Sequence, residues 1–476
     1  MARVEPSAVG DLLRPLVGDR VFVLVGAPVR PLRVEAVSLL DLGARHVMII
    51  GDGVGSVEPT PRQGLSWLTL EMSGDTVSEA RHRAARQLSG LPAPILDALD
   101  AVDPARSAWV INANNICTDT TIGGRQVLGR SRAEWTALED KTCCDELWDG
   151  AGVAHAPFEI VAATRDDLLA AARRVDQGSG TVWAGDARDW VHGGADLTRW
   201  VRDDDDLEPV VALLSAHCDR VRVMPFLEGI PCSIHGIVTV DGIAALRPCE
   251  MIVLRDDAPG HLRFVGMATG WDPEQHDRDQ MRDVARRVGR LLSDRYGYLG
   301  TFTVDGIVTD NGFLPTELNP RVGGALALMG ASIPETGLVM HTQFLAHQID
   351  TGIRASDVED LVVAAADADA NRGLWASEFI SQQVDRSEHE IIVEDGHPRL
   401  TRDDEQRDGV IRIAPVHSYT PSAVVIDIDP GHLAVGPSSA PLVANALHLA
   451  ETISGCLLYT SPSPRDRTRS RMPSSA

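Results

Sequence analysis

Lysine is almost missing from this chain. Of its 44 basic residues a single one, Lys141 in the run LEDKTCCDELW, is lysine. The rest are arginine, the usage of a GC-rich genome, so the lone lysine marks a place where a compact point charge is wanted. Positive charge is scarce overall: 68 acidic residues leave a formal net charge of −24. That balance excludes nucleic acid, whose phosphates demand basic surface, and disfavours anionic membranes. A local cluster of cations could still take the phosphates of a nucleotide. No apolar run approaches the length of a membrane span, and the opening MARVEPSAVGDLLRPLVGD lacks the apolar core of a signal peptide. A soluble, cytoplasmic protein is the expectation. The seven cysteines include no C-x-x-C pair, and Cys143 and Cys144 are adjacent, which indicates neither zinc nor a disulfide framework. Also missing is a G-x-G-x-x-G opening a helix at the first βα turn. GDGVG at 51–55 follows a strand pattern, but without the fingerprint a dinucleotide site is poorly supported.

What remains is long and globular. At 476 residues and 44% hydrophobic, the chain is too long for one small core. VFVLVGAP (21–28), the helical PLRVEAVSLLDLGAR and the strand-like HVMIIGDG make a βαβ start, hence a parallel sheet. A second segment starts near Gly129: helix, turn and strand through WTALEDKTCCDELWDGAGV and APFEIV, the helix DLLAAARRV, then the glycine-dense GSGTVWAGDARDWVHGG (178–194). The aspartate run 203–206 reads as a helix N-terminal cap. The strand-like VRVMPFLEG, SIHGIVTVDG and AALRPCEMIVLR precede a long helix, DQMRDVARRVGRLLSDRYG. His235, Cys232, Trp183, Trp190 and Trp200 read as packing residues. Beyond about Asp350 weaker strands restart, a separate C-terminal domain.

The stretch PTELNPRVGGA (315–325) reads either as a metal-binding strand or as a solvated strand end before a turn. Glu317 and Asn319 lie two apart on a strand and so share a face. A carboxylate and an amide oxygen there are hard ligands, suited to Mg²⁺. TFTVDGIV and FLPTELN flank the turn Asp310-Asn311-Gly312. A three-residue loop puts Asp305 opposite Glu317; a two-residue Asn311-Gly312 turn slips the register and turns Asp305 away. Local sequence leaves both open.

A helix ending YGYLG, a strand with Asp305, a short turn and ELNPR followed by glycines resemble the metal-binding end of the ATP-grasp fold. The match spans roughly 129–348. The resemblance implies an N-terminal α/β pre-grasp domain (1–128), an α+β ATP-grasp domain (129–350) and a smaller C-terminal domain (351–455). It implies ATP and Mg²⁺ as cofactors, with Asp305, Glu317 and Asn319 as metal ligands and Lys141 and Arg321 as catalytic cations. VMPFLEG resembles the adenine hinge, which gives Met224 and Leu227 to the base and Glu228 to the ribose. The glycine stretch resembles the loop that closes over phosphates. Its strand lacks the usual second lysine, so either Arg188 or His192 supplies that charge or the loop acts through backbone N–H groups. More narrowly, GTVWAGDARDWVHGGADLTRWVRD and RPCEMIVLR resemble actinobacterial peptide ligases of the pheganomycin type. The implied reaction is ADP-forming ligation of an amino or guanidino acid to an amine or peptide through an acyl phosphate, with Arg255 and Glu250 reading the substrates. A non-catalytic nucleotide-binding regulator is the alternative, and a homo-oligomer is left open. The tail 456–476, CLLYTSPSPRDRTRSRMPSSA, resembles the in-frame translation of a sequencing adapter. It is set aside from fold reasoning, and the native C-terminus is expected to be missing.

Overall fold

The computed structural model describes residues 6–26, 29–51, 61–72, 77–112, 120–129, 132–186, 188, 195–255, 260–333, 337–367, 372–380, 383–415 and 422–455. The glycine run 52–55, Trp190, His192 and the tail 456–476 lie outside them. Among the described residues no helix is long and apolar enough to cross a membrane.

The described strands form three sheets. In the first, Val21–Val25 and His46–Gly51 run parallel, with Leu65–Thr69 and Trp109–Asn112 outside them. Val21–Val25 is buried throughout, as expected of a parallel strand covered on both faces. A four-stranded antiparallel sheet comes next, in the order Glu159–Ala162, Arg220–Pro225, Thr181–Gly185, Thr198–Val201. The helix Asp204–His217 packs near it, and Asp203 caps that helix by accepting from the Asp205 N–H. The aspartate run is thus a helix start, as its position implied.

The third sheet has ten strands and is the body of the molecule. Ile230–Val238 lies between Ile243–Arg255 and Gly300–Thr309, with Gly312–Asn319 at one edge. Successive side chains alternate across it. Phe302 and Val304 face the long helix Gln275–Tyr296, burying Met281, Val284 and Val288. Gly297, with φ +56°, ends that helix as a left-handed cap donating to the carbonyls of Leu292 and Ser293. The other face carries Thr303 and Asp305. The segment beyond 350 does not start a new sheet. Leu374–Ile380 pairs with Leu262–Ala268, and Ser422–Ile428, Gly409–Pro415, Ser387–Glu394 and His397–Leu400 extend the same ladder. The expected division at 350 is therefore no break in hydrogen bonding.

Candidate active site

The hairpin settles the register by a route the sequence did not suggest. Thr309 pairs with Gly312, so Asp310 and Asn311 alone form the loop. A uniform ladder from that turn would put Thr316 opposite Asp305. Instead a bulge inserts Thr316, and Asp305 pairs with Glu317 and Thr303 with Asn319. The Thr316 hydroxyl donates to the Asp305 carbonyl at 3.2 Å. The three expected oxygen ligands thereby share one face.

Around them charges alternate. Asn319 Nδ2 donates to Asp305 Oδ2 at 2.8 Å, and Ser233 Oγ donates to Asp305 Oδ1. Arg321 Nη2 donates to Asn319 Oδ1 at 2.7 Å, and Arg321 Nε to Glu139 Oε2 at 3.1 Å. Lys141 Nζ donates to Glu317 Oε1 at 3.0 Å. The LEDK segment thus docks on the ELNPR strand by two crossed ion pairs, Glu139 with Arg321 and Lys141 with Glu317. Burial, and then the facing charge of Glu317, pushes the Asp305 carboxyl up to about 7. Burial pulls Lys141 down, but the charge of Glu317 outweighs it and holds the ammonium above its usual range. Arg321 is likewise raised, burial being outweighed by Glu139. The donor set is two carboxylates and an amide, all oxygen, as Mg²⁺ prefers. A carboxyl held near 7 by burial and a facing carboxylate is one that a cation would ionise, so these residues fit the metal.

Lys141 is positioned by residues that sequence reasoning missed. Asp140 accepts from the backbone N–H and the hydroxyl of Thr142, both at 2.8 Å, which turns the chain at Lys141. One turn on, Asp145 takes both ends of the Arg222 guanidinium at 2.6 Å, with both side chains 2% exposed or less. Arg222 belongs to the four-stranded sheet, and Arg220 beside it donates to Thr142. No spacing rule links 145 to 222, so nothing local in the chain signals this pair.

The remaining candidates scatter. Met224 is buried, Leu227 half-buried and Glu228 exposed, all where the chain passes from the four-stranded to the ten-stranded sheet. Glu228 accepts from Arg255 Nη2 at 2.9 Å. The Arg255 guanidinium lies 5.0 Å from the rings of Trp200 and Phe226, which stack on each other at 4.1 Å. Arg188 bonds Asp219 and the Ala216 carbonyl, within its own subdomain. Glu250 needs correction as a substrate reader. Cys249 pairs with Ser233, which bonds Asp305, so Glu250 points to the opposite face. There it is 1% exposed and accepts from the Ser438 hydroxyl and the N–H groups of Ser439 and Ala440. It caps the helix Ala440–Ser454. Trp183, Cys232 and His235 are fully buried, as packing residues should be.

Neither a protein-family model nor a curated protein sequence matches the chain. Solved structures do. Phosphoribosylamine–glycine ligase from Thermotoga maritima superposes with a TM-score of 0.51 at 12% identity, covering 90% of this chain and 96% of that one. L-amino acid ligase from Bacillus licheniformis gives 0.46 at 10% identity, covering 86% and 94%. A biotin carboxylase domain from Hydrogenobacter thermophilus, in complex with MgADP and bicarbonate, gives 0.49 at 14%, covering 86% of each chain. The fold is the ATP-grasp fold.

Proposed function

We propose that this chain is an ATP- and Mg²⁺-dependent carboxylate–amine ligase that releases ADP. The observation that carries the reading is the alternating cluster of Glu139, Arg321, Asn319, Asp305, Glu317 and Lys141, set on one face of an ATP-grasp sheet. Phosphoryl transfer requires positioning and charge neutralisation more than covalent help. Asp305, Glu317 and Asn319 would hold Mg²⁺, which when bound would neutralise charge on phosphate oxygens. Lys141 and Arg321 offset charge on the transferred group. The carboxylate of the acid attacks the terminal phosphorus of ATP, expelling ADP. The amine then attacks the acyl carbon, expelling phosphate. Met224, Leu227 and Glu228 line the nucleotide end, and Arg255 reads a substrate carboxylate. The named ligases of similar fold support this class of reaction, and the resemblance to pheganomycin-type enzymes supports peptide formation in secondary metabolism from an amino or guanidino acid.

The test is the chain cut before Cys456 with Mg-ATP, a panel of acids, and hydroxylamine in place of the amine. Hydroxamate with stoichiometric ADP, abolished in Glu317→Ala, is the expected result. An undiminished rate in Glu317→Ala would sink the metal assignment. Tight ATP binding without ADP from any acid would favour the regulator, a reading that Arg188's engagement with Asp219 keeps open.

A further inference from the structure

Resting on that ligase reading, we infer that Trp375, Phe264 and Met251 form the wall that selects the acid, and that the acid carries a bulky apolar side chain, aromatic for preference. The argument begins at Asp305. Its bond from Ser233 and the pairing of Ser233 with Cys249 put Cys249 on the metal-binding face, and Met251, two residues on, shares it. Met251 pairs with Met267, and Met267 with Trp375. Val253 pairs with Phe264. A bulge at Val265 thus turns Phe264 and Met267 to the same side, although they are three apart in sequence, while Val265 itself enters the opposite core with Ile252. The rings of Phe264 and Trp375 meet edge to face at 5.8 Å and 77°.

This apolar strip adjoins the catalytic cluster. A Cβ built on Gly324 would stand 3.0 Å from Met267 Sδ and 3.3 Å from Trp375 Cζ2, so the chain leaving Arg321 lies directly on it. At its other end Arg255, four residues beyond Met251 on the same strand, faces the same way. Phe264 is 39% exposed, and Met251 and Trp375 are half-buried at the margin of the core to which Met267 belongs. A carboxylate awaiting phosphorylation must stand beside Arg321, and its side chain then reaches the strip past Gly324. The carboxylate nearest in register, Asp427 opposite Trp375, is paired with Arg412, which also holds Glu388 at 2.7 Å. The strip therefore offers apolar contact, and its neighbouring carboxylate is already committed to a cation.

The experiment uses the full chain with Mg-ATP and hydroxylamine, so that only the acid is read. The panel runs from acetate and glycine through leucine, phenylalanine and tryptophan to guanidino acids, and the variants are Trp375→Ala and Phe264→Ala. Aromatic acids should give the highest kcat/KM. Both variants should lower the ratio of aromatic to short-acid kcat/KM by about tenfold or more, the scale on which apolar pockets discriminate. A merely structural defect would lower both terms together and leave the ratio fixed. If Trp375→Ala does not fold, the surface variant Phe264→Ala carries the same test. Preference for short or guanidino acids, or an unchanged ratio in folded variants, overturns the inference and leaves the ligase reading intact. Absence of ADP and hydroxamate with every acid defeats the ligase reading, and the inference with it.

Discussion

Lys141 and Glu317 are 176 positions apart and meet at 3.0 Å across the junction between the LEDK turn and the edge hairpin. The single lysine of the chain thus finds its partner in the carboxylate opposite Asp305. That places an ammonium, a guanidinium and the three carboxylates of Glu139, Asp305 and Glu317 in one cluster of alternating charge.

Asp305 should make the protein's stability pH-dependent. Its folded pKa of about 7 lies above the ordinary value of 3.8, so the folded state holds a proton the unfolded state has released between those limits. Stability from this group is present below about pH 4 and declines as pH rises towards 7, by a few kcal/mol at most. Denaturant unfolding without Mg²⁺ at pH 5 and pH 8 should show the loss. Asp305→Asn should flatten it, and an unchanged slope in that variant would assign the dependence elsewhere.

The buried pair Arg222–Asp145 should be costly to break. Asp145→Asn leaves a guanidinium 2% exposed without its counter-charge, and a loss of about 3–5 kcal/mol is expected. Replacing both by apolar residues of similar size should recover much of that stability. Activity should not return with it, because the Lys141 turn loses its tie to the four-stranded sheet. Urea midpoints and ADP release measured on the same samples separate the two effects.

Gly323 has no room for a side chain. An added Cβ would lie 2.5 Å from His235 Nε2 and 2.6 Å from Thr303 Cγ2, both on the buried face of the site. Gly323→Ala should displace the segment that follows Arg321 and reduce kcat by about a hundredfold, the scale of an ångström-sized misplacement. On the proposed reading the base is held at Met224 and Leu227, so ATP affinity should change little. Loss of ATP binding in step with kcat would point to general unfolding.

Glu250 should behave as a structural cap. Its carboxylate accepts from Ser438, Ser439 and Ala440 at the start of the C-terminal helix. Glu250→Ala should lower stability by about 1–3 kcal/mol, since it orphans buried donors. The KM for either substrate should stay as it was. A selective rise in one substrate's KM would restore the role its place in the sequence suggested.

Part of this molecule is written locally. Alternation along TFTVDGIV and FLPTELN, the place of the turn between them though not its length, the βαβ opening and the E-x-N spacing need only neighbouring residues, and each is legible in the chain. Asn319 and Glu317 share a face because strands repeat every two residues. The scarcity of lysine singles out Lys141 by composition alone. Other features depend on elements far apart in sequence and were decided by tertiary structure alone. The Thr316 bulge, and not the turn, sets Asp305 opposite Glu317, because inserting one residue moves every later side chain to the other face. The same alternation turned Glu250 away from the site its neighbours build. Arg222 meets Asp145, and Trp375 meets Phe264, only because separate strands and helices pack together. Burial in the folded chain, with Glu317 brought opposite, likewise drives the Asp305 carboxyl from its ordinary range to about 7.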